Sequence, residues 1–161
     1  MSRNRNGVAG FSLIELLAAA AIIGILASVA VPVMETTIRR KKEHDLRTAL
    51  RDIRRGIDGY KEASDSGRIA SSPADSGYPA SLTALVAGVQ DQKNKSGPKL
   101  YFLRRLPRDP FNSDKGIAAE FTWGLRSFAS PPSAPAAGVD VFDIYSKSNL
   151  NGLNGVPYAE W

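Results

Sequence analysis

An apolar run near the N-terminus, residues 11–34, limits this chain more than any other part of it, and Glu15 is its only charged residue. As a helix, this run of about 24 residues would be roughly 36 Å long at about 1.5 Å per residue. That length is enough to cross the hydrocarbon core of a bilayer, which is about 30 Å thick. The run therefore predicts a helix that lies in lipid or among other apolar helices.

The ten residues before the run are polar, and they end in the small pair Ala9-Gly10. An ordinary secretory signal has its small-residue cleavage site after the apolar core, whereas here the small pair precedes it. A peptidase that cut after Gly10 would leave the apolar run on the mature protein and make Phe11 its first residue. We therefore interpret residues 1–10 as a leader peptide.

Glu15 is a carboxylate within the apolar run, and a charge at the bilayer centre costs about 2.5–3.5 kcal/mol on insertion scales. One explanation is that Glu15 lies near the membrane interface, where its depth costs little. The other is that a partner cation retains it, because cleavage after Gly10 would create an α-amine at Phe11 that a neighbouring copy could present to Glu15. Since burial disfavours either charge alone, such a pair would fix the axial register between subunits.

Pro32 removes one backbone hydrogen bond from a helix and clashes with the carbonyl four residues earlier, at Ser28. It could end the membrane helix, but helical periodicity resumes beyond it, so we predict a kink within one long helix. The later apolar residues form one stripe on a charged helix that continues to about Tyr60. The stripe consists of Ile38, Leu46, Leu50, Ile53, Ile57 and Tyr60.

The charges between positions 39 and 62 are of both signs, and the whole chain carries a net charge of +5. A nucleic-acid helix needs little more than cations, but interspersed signs favour a solvated face with ion pairs to neighbouring subunits. His44, the single histidine, is predicted to be a surface residue. Because the chain has no cysteine, it has no disulfide, thiol nucleophile or cysteine zinc site. No acid–base pair can be nominated from spacing, so we expect no enzyme.

The N-terminal residues resemble the signature of type IV pilins and type II secretion pseudopilins. Gly10 precedes the predicted cut and Phe11 follows it. Counted from Phe11, Glu15 is the fifth residue and Pro32 the twenty-second. Residues 101–111 and the Gly- and Asn-rich C-terminal tail are similar to those of major pseudopilins. The resemblance implies that a prepilin peptidase cuts between Gly10 and Phe11 and N-methylates Phe11.

The same resemblance implies an α+β, pilin-like fold. In this fold a long N-terminal α-helix, half in the membrane and half amphipathic, packs on a small antiparallel β-sheet. The expected domains are the leader 1–10, a transmembrane or filament-core helix 11–34 and a periplasmic domain 35–161. Residues 120–127 and 139–146, rich in aromatic and β-branched residues, are the predicted strands.

Smaller features complete the predicted domain. Residues 82–89 are expected to form a short helix, and residues 130–138 an exposed connection between the strands. Four side chains are expected to help cover the apolar stripe of the long helix: Phe121, Trp123, Phe142 and Ile144.

In the family that this chain resembles, the C-terminal loop typically binds calcium through aspartates, whereas this chain has asparagines there. Calcium takes six to eight oxygen ligands, and carboxylates supply most of the affinity. Two alternatives stay open, a weak calcium site or tight turns at Asn151-Gly152 and Asn154-Gly155, and we favour the turns. The candidate calcium ligands are Asp143, Ser146, Asn149, Asn151 and Asn154.

These features predict a non-enzymatic structural subunit that polymerises through its N-terminal helix. The resemblance favours the type II secretion pseudopilus, which supports protein export across the outer membrane. The alternatives are a type IV pilus subunit for motility or adhesion, and a membrane-anchored binding domain that never polymerises. Implied partners are further copies of this chain, prepilin peptidase, minor pseudopilins and an inner-membrane assembly platform.

The expected location is the bacterial inner membrane, with a periplasmic domain, and afterwards a periplasmic filament. Arg3 and Arg5 favour a cytoplasmic N-terminus by the positive-inside tendency. The basic run 39–42 on the other side of the apolar segment argues for the opposite orientation. The resemblance decides between them in favour of the cytoplasmic N-terminus.

Overall fold

The computed structural model describes residues 11–72 and 75–161, and for residues 29–32 it describes the backbone alone. The predicted leader, with Gly10, lies outside the described residues. The chain divides into two units, one that ends at Arg39 and a second that comprises Arg40–Trp161. The buried core belongs to the second unit.

The first element is a single long helix, α1, Leu13–Asp65. Its backbone is helical through position 32, so Pro32 does not end the helix, in agreement with the prediction. The Pro32 side chain lies outside the described residues, and the kink stays a prediction. By length and composition, α1 contains a stretch that is apolar enough to cross a membrane.

The helix ends beyond the predicted Tyr60 because a glycine caps it further along. Gly67 has a φ of 70°, a left-handed conformation that glycine adopts without steric cost. The Gly67 N–H donates to the Ser64 carbonyl and the Arg68 N–H to the Ala63 carbonyl, each at 2.9 Å. Together these bonds form a Schellman motif, which satisfies carbonyls that a helix end otherwise leaves unpaired.

The apolar stripe of α1 forms the centre of the core, as predicted: Leu46, Leu50, Ile53 and Ile57 are buried. The prediction is wrong for Ile38, which is 52% exposed and lies in the first unit, outside this core. In the second unit the stripe belongs to one cluster with buried residues from later elements. These later residues are Leu82, Leu85, Trp123, Val141, Ile144 and Tyr158.

Two antiparallel strands, β1 (Trp123–Arg126) and β2 (Asp143–Ser146), confirm the predicted small sheet. The register pairs the first residue of β1 with the last of β2. Both strands are shorter than predicted, and Ala119–Thr122 forms a 3-10 helix instead of extending β1. The Thr122 hydroxyl donates to the Ala119 carbonyl at 2.6 Å, a local bond that favours this turn over a strand.

The 3-10 helix also explains why one predicted core residue is wrong. Phe121 is exposed, whereas Trp123 and Ile144 are buried as expected. Phe142 is half-buried and meets the Tyr78 ring edge-on at a centroid distance of 5.0 Å. The predicted short helix is present as α2, Ala84–Ala87, and the connection between the strands is exposed as predicted.

Candidate functional site

The predicted processing and assembly residues, Phe11 and Glu15, lie on either side of a helix cap. Phe11 precedes α1 and is exposed, while Glu15 lies in the first turn of the helix. The Glu15 backbone N–H donates to the Ser12 hydroxyl at 3.3 Å and to the Ser12 carbonyl at 3.1 Å. Ser12 and Glu15 have the S-x-x-E spacing of a capping box. Ser12 is thus a residue with a role at this site, and its spacing from Glu15 could have indicated it.

Glu15 therefore has local roles besides any contact with another subunit. An acidic side chain in the first turn interacts favourably with the positive end of the helix dipole, by about 0.3–1 kcal/mol at exposed positions. Neither the dipole nor the cap requires a partner amine. A test of the register hypothesis must therefore separate the charge of Glu15 from its place in the cap.

In the first unit, α1 exposes a large apolar surface. Single soluble chains rarely expose apolar patches larger than a few hundred Å², and larger ones are typical of surfaces that contact a membrane or another protein. The Ser28 and Thr37 hydroxyls donate to helix carbonyls at 2.7 and 2.9 Å, so they add no unpaired donor to an apolar environment. The large apolar side chains, which are 57–77% exposed, are Leu13, Ile14, Leu16, Leu17, Ile22, Ile23, Ile25, Leu26, Val33 and Met34.

Asp143, the only carboxylate among the predicted calcium ligands, is engaged by two arginines. Its Oδ1 is 2.8 Å from Arg54 Nε, and its Oδ2 is 3.6 Å from an Arg126 guanidinium nitrogen. The Ser146 hydroxyl is buried and donates to Asp109 Oδ2 at 2.5 Å. Two guanidinium groups thus neutralise the carboxylate that would have to attract the cation.

The three predicted asparagine ligands lie on exposed backbone, and one of them, Asn154, is in a turn. The Asn154 side-chain oxygen accepts a backbone N–H two residues further on at 3.2 Å, and Gly155 closes the turn with a φ of 81°. Asn149 is exposed, and Asn151 pairs with Pro157 in an isolated bridge. A turn is thus present at Asn154-Gly155 as predicted, whereas Asn151 lies in the bridge before it and not in a turn of its own. With its one carboxylate paired to arginines, this donor set is poorly suited to calcium. Among the described residues, no three His, Cys, Asp or Glu side chains are grouped so that they could hold a metal ion.

The charged face of the second unit mixes both signs, as the interspersed charges predict. A groove between α1 and residues 102–110 has acidic and basic side chains along its walls, and His44 is exposed there. This mixture suits ion pairs with other subunits better than the uniform cationic surface that phosphates need. The charged residues of the groove are Asp45, Asp52, Arg55, Arg104, Arg105 and Arg108.

The N-terminal part of the chain matches a known family model. The prokaryotic N-terminal methylation motif matches residues 5–31, a range that includes Gly10, Phe11 and Glu15. No solved structure matches the chain.

Curated proteins named type II secretion system core protein G are similar to most of the chain. The one from Dickeya chrysanthemi is 27% identical over 157 residues, which cover 91% of this chain and 94% of that protein. The one from Klebsiella pneumoniae is 29% identical over 138 residues, which cover 82% and 91%. The one from Pectobacterium carotovorum subsp. carotovorum is 31% identical over 112 residues, which cover 65% and 63%. The similarity therefore extends well beyond the methylation motif.

Proposed function

We propose that this chain is a structural subunit of a type II secretion pseudopilus. It carries the prokaryotic N-terminal methylation motif, and most of its length is similar to type II secretion system core protein G. The observation that carries the proposal is the exposed apolar surface of α1 with a single carboxylate, Glu15, in the first turn. Such a surface suits a helix that moves from lipid into a bundle of sister helices. The proposed role is structural and involves no reaction catalysed by the chain itself.

Processing is the first step of this proposal. A prepilin peptidase removes residues 1–10 and N-methylates Phe11, which directly precedes the capped start of α1. Before assembly, the apolar part of α1 anchors the chain in the inner membrane, and the second unit lies in the periplasm. Arg3 and Arg5 support this orientation, because basic residues favour the cytoplasmic side.

Assembly then transfers the apolar surface of α1 from lipid to sister helices, and this transfer alone selects no register. Lipid tails are as apolar as leucine side chains, so the hydrophobic effect does not drive helix association in a membrane. A polar contact between Glu15 and the Phe11 amine of a neighbouring subunit would supply the missing selectivity. Head-to-tail contacts that do not close into a ring then build an open helical filament.

Pro32 has a separate part in the proposal. Because proline has no backbone N–H, the turn of α1 before it lacks one hydrogen bond. This weak point would let the helix unwind locally when the subunit leaves the bilayer and packs into the filament.

The native assembly provides the test of the proposal. Mass spectrometry of the mature chain should find an N-terminus at Phe11 that carries a methyl group, and a filament reconstruction should find sister α1 helices at its centre. A chain that keeps residues 1–10 and stays monomeric would overturn the proposal. Surface filaments on normally expressing cells would instead assign the chain to a type IV pilus, because pseudopili stay within the envelope.

A further inference from the structure

We propose that Glu43, Arg47 and Arg54 hold the C-terminal segment, residues 149–161, on α1. These contacts, here called the anchor, make the fold of the segment independent of calcium. The inference goes beyond the proposed function, because it concerns how the second unit keeps its fold. It follows from the misfit between calcium and the residues in its predicted place. Asp143 pairs with guanidinium groups, and the Asn154 side-chain oxygen accepts a backbone N–H within a turn.

Glu43 provides the first part of the anchor. It is 6% exposed, although it lies on a helix that is otherwise rich in solvated charges. Its Oε1 accepts hydrogen bonds from the Leu153 backbone N–H at 2.7 Å and from the Tyr158 hydroxyl at 2.9 Å. One carboxylate oxygen thus ties two points of the C-terminal segment to a helix residue 110 and 115 positions earlier. Hydrogen bonds to an ionised acceptor are about twice as strong as neutral ones.

Arg54 provides the second part, because one guanidinium group contacts both β2 and the last residue of the segment. Its Nε pairs with Asp143, and a terminal nitrogen donates to the Trp161 carbonyl at 2.9 Å and to the Ile144 carbonyl at 3.2 Å. The Arg47 guanidinium carbon lies 4.2 Å from the centroid of the Trp161 ring, which is a cation–π distance. Arginine side chains therefore supply the positive charge that a metal-binding loop takes from an ion.

Because the anchor already occupies the Asp143 carboxylate, calcium could bind there only by displacing Arg54, and we expect it not to bind. A calcium ion at the predicted site needs the Asp143 carboxylate, whose Oδ1 is 2.8 Å from Arg54 Nε. Displacement of Arg54 would also break its hydrogen bond to the Trp161 carbonyl. We therefore expect Ca²⁺ to leave the stability of the segment unchanged.

Thermal unfolding of the full chain in detergent tests the independence from calcium. Protein treated with EDTA and the same protein supplied with CaCl₂ should unfold at the same midpoint, with MgCl₂ as the control for ionic strength. A midpoint that rises in CaCl₂ and not in MgCl₂ would overturn the proposal.

Limited proteolysis of the full chain tests the anchor itself. Glu43→Ala removes the acceptor of the Leu153 N–H and the Tyr158 hydroxyl, so cleavage within residues 149–161 should become about tenfold faster. Glu62→Ala, a matched change at an exposed glutamate of the same helix, should leave the cleavage rate unchanged. Tyr158→Phe removes one donor only and should give a smaller increase.

The milder variant keeps the anchor testable if Glu43→Ala does not fold. An unchanged cleavage rate in Tyr158→Phe and in any folded Glu43→Ala protein would overturn the anchor. The proposal would also be overturned if CaCl₂ restored the resistance of the Glu43→Ala protein to cleavage. Neither measurement uses filaments, so a failure of this inference is distinguishable from a failure of the proposed function.

Discussion

At the scale of single residues, two explanations meet at Glu15. Within the chain, Glu15 has the capping-box spacing from Ser12, whose hydroxyl accepts the Glu15 backbone N–H, and it lies at the positive end of the helix dipole. Between chains, its charge would pair with the amine of Phe11. A capping box accepts glutamine as well as glutamate, whereas the pairing needs a negative charge. Glutamine could therefore replace Glu15 in the cap but not in the ion pair.

Glu15→Gln and Glu15→Ala separate these explanations. Both leave the apolar run intact, so we predict wild-type amounts of each variant in the membrane fraction. Because breaking a buried ion pair costs about 3–5 kcal/mol, we predict that neither variant forms detectable filaments. Filament yield is measured by electron microscopy and immunoblotting of sheared fractions. Wild-type yield from Glu15→Gln would contradict the register role and leave capping as the function of the residue.

Asp140 gives the second unit an acid-sensitive contact. Burial raises the pKa of Asp140, but hydrogen bonds from the Ser76 and Ser127 hydroxyls and from the Phe128 N–H outweigh it and hold the pKa below its usual value. The folded state therefore favours the ionised carboxylate more than the unfolded state does. This stabilisation is fully present above a pH of about 4 and is lost as pH falls through the folded pKa.

We predict that the unfolding midpoint of the wild type falls as the pH drops below about 4, and that the fall is weaker in Asp140→Asn. At neutral pH, Asp140→Asn should be less stable by about 1 kcal/mol, because it loses hydrogen bonds to a charged acceptor. Thermal unfolding across a pH series measures both effects. Asp45→Asn, at an exposed aspartate of α1, should follow the wild-type curve. Equal acid slopes in wild type and Asp140→Asn would contradict the role of Asp140.

At the scale of elements, α1 shows that caps decide where a helix begins and ends. Ser12 caps the start, and the Schellman bonds at Gly67 cap the end. The apolar stripe stops at Tyr60, but the helix continues to Asp65, since its last carbonyls find partners only at the glycine. Periodicity therefore predicts which face of a helix is buried, and caps predict its length.

Gly67→Ala tests the C-terminal cap of α1. Beyond the two neighbouring residues, no atom lies within 4 Å of the position that a Cβ would take at Gly67, so the substitution meets no clash with the rest of the fold. The φ of 70° remains unfavourable for alanine, and we predict a loss of about 1–2 kcal/mol in the free energy of unfolding. Gly67→Asn should lose less, because asparagine tolerates this conformation better. Chemical denaturation measures the difference, and a Gly67→Ala protein as stable as the wild type would contradict the capping role.

At the scale of the whole molecule, the exposed apolar surface and the buried core belong to different units. The apolar surface of α1 lies before Arg39, and the residues of the core cluster lie within Arg40–Trp161. In the proposed function the first unit supplies the contacts among subunits in the filament centre. The second unit contains every residue of the core cluster.

We predict that the fragment Arg40–Trp161 is folded and monomeric in buffer without detergent, because it keeps every residue of the core cluster. The full chain should require detergent or lipid, since its apolar surface is otherwise exposed to water. Size-exclusion chromatography and near-UV circular dichroism check both statements. A fragment that aggregates, or one without a near-UV signal, would contradict the prediction that the second unit folds independently of the first.

The predictions from sequence were best where residues close in the chain determine the structure. The buried stripe of α1 from Leu46 to Ile57, the continuation of the helix past Pro32 and the approximate strands were correct, whereas Ile38 is exposed. They were wrong at Phe121, where a hydrogen bond between Thr122 and Ala119 forms a 3-10 helix. At the candidate site, the cap of Ser12 was readable from its spacing to Glu15 but the partners of Asp143 were not.

This chain carries in its linear pattern an apolar helix, the start of that helix and the face that its second half buries. Capping and helical periodicity depend on side chains a few positions apart, so the pattern contains them directly. The contacts of Glu43 with Leu153 and of Arg54 with Asp143 join residues 110 and 89 positions apart. Folding around the common core brings such pairs together, and therefore no local pattern could reveal these contacts.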